Sequence, residues 1–489
     1  MKFRRMFTLL ILVVFLSNNY VGYAESSTHN LEKSIDMFIN MEMGKMKIPG
    51  LAASIVQDKF EYSAGYGFRS SGNKAVDERT LFELGSNSKA FTGLALLHMV
   101  KQGKLSLDDN VTAHLPWFTA VLDGTESDIN IRQLLHHTSG IPTDSITLIP
   151  ESNDADALKQ MLMEMVPVQL VNKPGQMFEY ATLNYDIIGL VVAEVSGMSY
   201  EEYMIENIFN PLGLLNTFPK AQVQSEENMA SGHKLGFFGA ASYDGPSYRG
   251  NTPAGYIVSN AEDMLQWMKI QLGMVNVPGF GEVILESHMK DSTLEGIQEG
   301  APYAAGWEIY SFVGEQLEHS GANPGFSSYM LLNKGKKIGV TVMANLNSEA
   351  VFSIAMGIEQ ILLGNTPTPS EVDLFLILNN VMRVLLVLSL LVIALSLFFC
   401  SRMYKDKHRS FQKPSLNARI KLALLSVGYA IFTVAIYLSP TVLYHGYPWS
   451  FLSVWAPSSL VVGAIFMVVA TGGCFLCGGY SILFPKRKD

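Results

Sequence analysis

The stretch Thr80-Leu-Phe-Glu-Leu-Gly-Ser-Asn-Ser-Lys-Ala-Phe-Thr-Gly-Leu-Ala-Leu-Leu-His-Met-Val100 decides how the rest of the chain is read. A short apolar run meets Gly85, then Ser86 and Lys89, then a largely apolar helix to about Val100. Residues three apart on a helix share a face, with Cβ atoms about 5–6 Å apart. Lys89 can therefore reach the Ser86 hydroxyl at the start of that helix. A serine is a poor nucleophile until a base takes its proton, and a lysine becomes such a base when burial lowers its pKa.

Spacing alone does not single this pair out, because the chain holds five Ser-x-x-Lys matches: Ser71/Lys74, Ser86/Lys89, Ser231/Lys234, Ser287/Lys290 and Ser410/Lys413. Ser71 and Ser231 are each followed by Gly, which disfavours a helix. Ser287 leads into the polar run Asp291-Ser-Thr, and Ser410 lies in a basic stretch between apolar segments. Only Ser86 opens a helix that would be buried on most sides. An N-cap serine with an exposed lysine one turn on would explain neither the preceding Gly nor the apolar helix that follows.

The two ends of the chain read differently from its middle. Met1 to Ala24 has Lys2, Arg4 and Arg5, an apolar core Met6–Leu16 and a small-residue site Gly22-Tyr-Ala24, the pattern of a cleaved secretory signal. From about Leu374 three apolar stretches follow, roughly 374–400, 420–443 and 456–484, each long enough to cross a bilayer. Between the first two lie Arg402, Lys405, Lys407, Arg409, Lys413 and Arg419 against Asp406 alone, whereas His445–Trp455 has no lysine or arginine. The tail 485–489 is basic again. By the positive-inside rule the 401–419 loop and the tail are cytoplasmic and residues 25–363 are outside, the orientation a signal peptide also demands. The expectation is a multi-pass cell-membrane protein with an extracytoplasmic domain, a short Pro/Thr/Ser linker at 364–373, and the lipid bilayer as partner.

Length, 489 residues, and mean hydropathy, +0.20, fit one large domain plus a membrane part. A net charge of −9 leaves no basic footprint for nucleic acid. Cys400, Cys474 and Cys477 all fall in the hydrophobic C-terminal part, so the external domain has no disulfide. Cys474-x-x-Cys477 lacks a second ligand pair and is assigned no metal or redox role. His136 and His137 are adjacent, point apart on a helix, and have no carboxylate pattern to complete a metal site. Hydrogen bonding to nearby loops is the expected use of both, and no cofactor is called for.

Within 25–363 the periodicity predicts a helix at His29–Met46, a hairpin of Gly50–Val56 and Phe60–Gly67, and a helical middle. That middle includes Ala155–Met165, Ile187–Val195, a helix capped by Ser199, and Ala261–Gly273. Residues 216–250, rich in Gly, Ser and Asn, read as a long excursion near the substrate side. Strands follow at Gly306–Phe312, Gln316–Ser320, Ser327–Asn333 and Ile338–Ala344, then a last helix Glu349–Leu363. The fold class expected is α/β (α+β): one antiparallel sheet built from both chain ends, with a helical insert.

Several separated motifs then carry a resemblance. They are Leu81–Thr92, Gly103–Asp109, Leu134-Leu-His-His-Thr-Ser-Gly140, Pro174-Gly-Gln-Met-Phe-Glu-Tyr180, Pro211-Leu-Gly213 and His319-Ser-Gly-Ala-Asn-Pro-Gly325. In this order, from about residue 31 to 362, they resemble the class C β-lactamase and penicillin-binding-protein family of serine hydrolases, whose signature is Ser-x-x-Lys. The resemblance implies Ser86 as nucleophile and Lys89 as the group that deprotonates it. Tyr180 falls where the family keeps a Tyr-x-Asn tyrosine that shuttles the proton to the leaving group, which requires adjacent cations to favour its phenolate. The backbone N–H groups of Ser86 and Ala322 would form the oxyanion hole. His319-x-Gly321 matches the Lys-Thr-Gly strand motif in its His-x-Gly variant, placing both residues beside substrate.

Two departures bear on the substrate. Thr182 stands where the family has asparagine and lacks the amide; Asn184 could substitute if the segment is already helical. His319 in place of lysine, with an ordinary pKa of about 6.5, would hold a substrate carboxylate less well at neutral pH and better as pH falls. The resemblance thus implies acyl transfer through an ester on Ser86, with an amide or ester substrate such as a small molecule or cell-wall peptide. An esterase on the same scaffold is the near alternative, and a non-catalytic module that senses wall components the distant one. A transporter is disfavoured, since Arg383 and Lys421, near span ends, are the charges within the spans.

Overall fold

The computed structural model describes residues 28–70, 74–223, 226–291, 303–310, 316–371, 373–443 and 446–486. The signal sequence expected at 1–24 lies outside the described residues. Helix α1 (Thr28–Met46) leads into strands β1 (Gly50–Gln57) and β2 (Phe60–Gly67). The helical insert carries α2 (Ser88–Lys101), α3 (Leu183–Ser196) and α4 (Ala261–Gln271). Strands β3 (Glu308–Tyr310), β4 (Gln316–Asn323), β5 (Phe326–Asn333) and β6 (Ile338–Ala344) follow, then α5 (Ala350–Leu362). The sheet order is β3-β4-β5-β6-β1-β2, antiparallel throughout, so the first strand pairs with the last. This is the sheet from both chain ends that the sequence predicts. Part of the strand expected at Gly306–Phe312 falls outside the described residues.

The central strands are apolar on both faces because both faces are covered. In β1, Leu51, Ala53 and Ile55 pack with α1 and α5, whereas Ala52 and Val56 face the helical insert. Every residue of β5 and β6 is buried. Alternation would have marked a solvated face; its absence here marks a three-layer sandwich. Local chemistry fixes the insert: Gly197 ends α3 at φ 72°, and Ser199 forms a reciprocal capping box with Glu202.

Three long apolar helices complete the chain: α6 (Leu374–Lys405), α7 (Leu416–Leu443) and α9 (Ser458–Leu483). Each could cross a membrane by length and composition. Between the last two lies a short helix, α8 (Trp449–Trp455). Cys477 is bonded to Cys400 across α6 and α9, so it is joined to a distant cysteine and not to Cys474. The 364–373 segment is anchored at its end. Asp373 accepts from Ser348 Oγ at 2.5 Å and the Glu349 amide at 2.9 Å with one oxygen, and from the Phe375 amide at 2.7 Å with the other. One carboxylate thereby caps the start of α5 and the start of α6. Within the 216–250 excursion lies a small hairpin, His233–Gly236 with Gly239–Ser242, that touches the C-terminal helices. Lys234 Nζ donates to the Ser453 carbonyl in α8 at 2.7 Å, and Asn379 of α6 donates to the Gly236 carbonyl at 3.2 Å.

Candidate active site

Ser86 sits in a one-turn 3-10 helix, Gly85–Asn87, that runs directly into α2. Gly85 has φ 54°, and a Cβ there would lie 2.4 Å from the Ala322 amide nitrogen. Gly321 is equally constrained, since a Cβ would meet the Leu84 carbonyl oxygen at 2.0 Å. Two glycines thus let the Ser86 turn and strand β4 touch backbone to backbone. Asn87 Nδ2 donates to Ser328 Oγ at 2.7 Å, which donates to the Leu84 carbonyl at 2.6 Å. The expected pair of donors around an oxyanion, Ser86 and Ala322, is therefore held on adjoining backbone segments.

Lys89 is fully buried on α2. Its Nζ is within hydrogen-bond distance of Ser86 Oγ (3.0 Å), Thr182 Oγ1 (3.1 Å) and the Ala254 carbonyl (2.9 Å). Burial brings its pKa down to about 7, and the neighbouring Asp186 carboxylate acts in the opposite direction. Asp186 lies on the buried face of α3 and is itself pushed well above the carboxylate range by burial, with the Ala254 amide acting the other way. Asn251, with its amide turned to donate, reaches both Asp186 oxygens at 3.1 and 2.9 Å. The acid and the base thus both face the Ala254 backbone, the base donating to its carbonyl.

The Tyr180 phenol lies beside Ser86, and its ring is 5.1 Å from Lys89 Nζ. Burial raises Tyr180 above an ordinary phenol. This corrects the expectation of a cation-stabilised phenolate: the lysine that would supply the charge is itself close to losing its proton. The Tyr180 ring packs on His137, 4.4 Å between centroids. His137 adopts φ 56° and accepts at Nδ1 from the Asn184 amide group (2.8 Å) and the Ala181 N–H (3.2 Å). His136 Nδ1 donates to the Tyr303 carbonyl at 2.8 Å. Both histidines thus bond nearby loops.

Three expected substrate contacts are placed differently. Asn184 is buried, donating to His137 and accepting from Ser139 Oγ at 2.6 Å, so it does not stand in for the family's asparagine. Thr182 has its hydroxyl engaged by Lys89. His319 is buried, with Nε2 2.8 Å from the Tyr303 hydroxyl and Nδ1 2.6 Å from the Ser320 carbonyl. Burial, with Lys89 nearby, lowers its pKa to about 3, so it carries no positive charge to hold a carboxylate at any ordinary pH. Gly321 lines the outer cleft, as do the exposed residues Ser320 and Ala322 on either side of it.

Residues 38–363 match the Beta-lactamase family. The chain belongs to that family. It is 30% identical over 454 residues to the protein named Protein flp of Staphylococcus aureus (strain MW2), covering 91% of this chain and 89% of the relative. That coverage exceeds the hydrolase domain, so the likeness continues into the C-terminal helices. A protein named Beta-lactamase of Yersinia enterocolitica is 26% identical over 348 residues, 62% of this chain and 84% of that one. Among solved structures, an octameric penicillin-binding protein homologue from Pyrococcus abyssi superposes with TM-score 0.60 and 28% identity, covering 69% of this chain and 78% of that one. The fold is thus that of the β-lactamase and penicillin-binding-protein enzymes, which are generally serine hydrolases.

Sequence reasoning missed Asp186 and Tyr303. An aspartate within the apolar run Leu183-Asn-Tyr-Asp-Ile-Ile188 was the available signal, because an ionisable side chain on a helix buried all round needs a partner. Tyr303 carries no comparable mark.

Proposed function

We propose that this family member is a membrane-anchored, outward-facing serine hydrolase that forms an acyl-enzyme on Ser86. The observation that carries the reading is the set of partners around Lys89. When the lysine is a neutral amine it donates to the Ala254 carbonyl and to Thr182 Oγ1, and its lone pair faces the Ser86 hydroxyl at 3.0 Å. The Ala254 carbonyl can only accept, and Thr182 Oγ1 takes the amine's other hydrogen. Ser86 is then the partner that gives up a proton. Oxygen attack on the substrate carbonyl and proton transfer to Lys89 follow, with the Ser86 and Ala322 amides opposite the developing oxyanion, each donor contributing about 3 kcal/mol. Tyr180, the phenol beside Ser86, gives its proton to the leaving group and takes one back from the attacking water, while Lys89 returns its proton to Ser86 Oγ as the acyl group departs.

An ester substrate fits better than a D-alanyl peptide or a β-lactam. Both of the latter carry a carboxylate, and His319 is neutral and turned to Tyr303; Asn184, the side chain expected to replace the family's amide, is turned to His137. The test uses the full chain in detergent with fluorescent penicillin, chromogenic esters and D-amino peptides, beside Ser86→Ala. Ser86-dependent ester turnover exceeding peptide turnover is expected. Failure of every probe to react in a Ser86-dependent way would replace the enzyme by a binding module.

A further inference from the structure

A cleft of about 550 Å³ opens along Ser320, Gly321 and Ala322, the part of β4 that adjoins the Ser86 turn. Its apolar walls come from two parts of the chain. Val351 and Phe352, at the start of α5, belong to the hydrolase domain; Phe375, in the first turn of α6, and Trp455, at the end of α8, belong to the membrane part. Phe352 is 46% exposed, a large side chain left uncovered inside a concave surface. Among the described residues no lysine or arginine lines the cleft, and its charged groups there are Glu308 and Glu349. On the other side of α8, a second cleft of about 190 Å³ runs between Phe451, Val454 and Trp455 and the hydrolase residues Ile146, Ile149 and Tyr256. Helix α8 therefore lies between two apolar hollows, fastened by the Lys234–Ser453 bond and by Trp449 Nε1 donating to the Tyr437 carbonyl at 2.9 Å.

We propose that the substrate of this hydrolase carries a hydrocarbon arm, seated in the larger cleft against Phe352, Phe375 and Trp455. The proposal rests on the hydrolase reading above and names its substrate class: an amphiphilic ester resident in the bilayer leaflet on the domain's side. The placement follows from where α6 begins and α8 ends. Phe375 lies at the start of α6 and Trp455 just before the start of α9, both helices that can span a membrane, the level at which tryptophan and tyrosine gather between hydrocarbon and water. An ester lying in that leaflet has its chain at Phe375 and Trp455 and its head group toward Ala322 and Ser86. Glu308 and Glu349 in the cleft disfavour an anionic group there, and a lining that is apolar over most of its area, with serine and tyrosine hydroxyls between, suits an alkyl chain.

The test uses the full chain in phosphatidylcholine nanodiscs with two series of monomeric substrates. 4-Nitrophenyl esters from acetyl to octanoyl lengthen the acyl arm, and alkyl acetates from ethyl to octyl lengthen the alcohol arm. In at least one series kcat/KM is expected to rise tenfold or more from the shortest to the longest member, each buried methylene adding about three- to fourfold. Trp455→Ala and Phe352→Ala should reduce that long-to-short ratio at least fivefold, whereas Leu285→Ala, on an exposed helix face outside the cleft, keeps it. No chain-length dependence in either series, or a ratio unchanged by both cleft variants, overturns the proposal. Loss of all Ser86-dependent turnover would strike the hydrolase reading, and binding then decides the cleft. An octanoyl ester with a terminal diazirine, irradiated with the Ser86→Ala protein, should attach to peptides holding Phe352, Phe375 or Trp455. Attachment confined to other membrane residues overturns the proposal.

Discussion

The Tyr303 hydroxyl and His319 Nε2 stand 2.8 Å apart, and His319 Nδ1 lies 2.6 Å from the Ser320 carbonyl. A carbonyl only accepts, so Nδ1 holds the hydrogen and Nε2 accepts from Tyr303. The ring is neutral with both nitrogens used.

Acid should therefore destabilise the fold through His319. Its folded pKa of about 3 lies below the unfolded value, so the unfolded chain binds more protons between the two. Stability is lost as pH falls from about 6.5 toward 3, by up to about 1.4 kcal/mol per pH unit. Glutamine at this position can satisfy both bonds without titrating. Thermal midpoints of wild type and His319→Gln, measured from pH 7 to 4.5, should diverge, with the wild type falling faster. Parallel curves would show that the ring is solvated. Carboxylate-bearing substrates should gain no affinity across pH 6.5.

Lys89 sets the pH dependence of acylation. The neutral amine is the reactive form, so the rate should rise with pH through about 7 and then level. Asp186 favours the ammonium, and Asp186→Asn should move the limb to lower pH. Single-turnover acylation rates from pH 5 to 9 in both proteins check the sign; a shift to higher pH would mean that Asp186 acts otherwise.

Gly85→Ala should separate the Ser86 turn from β4. The new Cβ has 2.4 Å to the Ala322 nitrogen where ordinary contact needs far more, and the φ of 54° is strained for alanine. The oxyanion donors move apart, and kcat should drop roughly 10²-fold or more. Circular dichroism should remain native. Unchanged kcat would remove Ala322 from the mechanism.

Asn184→Ala should act on stability before substrate affinity. It leaves the Ser139 hydroxyl without its acceptor and His137 Nδ1 with the Ala181 N–H alone, at a cost of about 1–3 kcal/mol. Because the His137 ring supports Tyr180, kcat should fall with KM nearly unchanged. A selective rise in KM would restore Asn184 as a substrate contact.

The sheet was legible because β1, β2, β5 and β6 are short apolar or alternating runs between turn residues. Ser86 and Lys89 were legible because their spacing is local. Asn184 was not: its orientation depends on His137, a residue forty-odd positions earlier in a left-handed conformation that nothing in its neighbours announces. His319 was read by its motif position, and its state depends on Tyr303, which reaches it only through folding. Helix α8 escaped notice because seven residues are too few for periodicity to declare, and its cap, Pro448, reads equally well as a turn.

Asp373 caps a helix of each part, and Lys234 holds α8. A hydrolase domain tethered by a slack string would sweep a hemisphere and meet dissolved molecules from every side. Clamped at both points, this one keeps its cleft at a single height over the ends of its own helices. On the substrate proposed above, its encounters would be counted in two dimensions: lateral diffusion would deliver the ester, molecules per area of leaflet would take the place of molarity, and inert lipid alone would dilute the reaction.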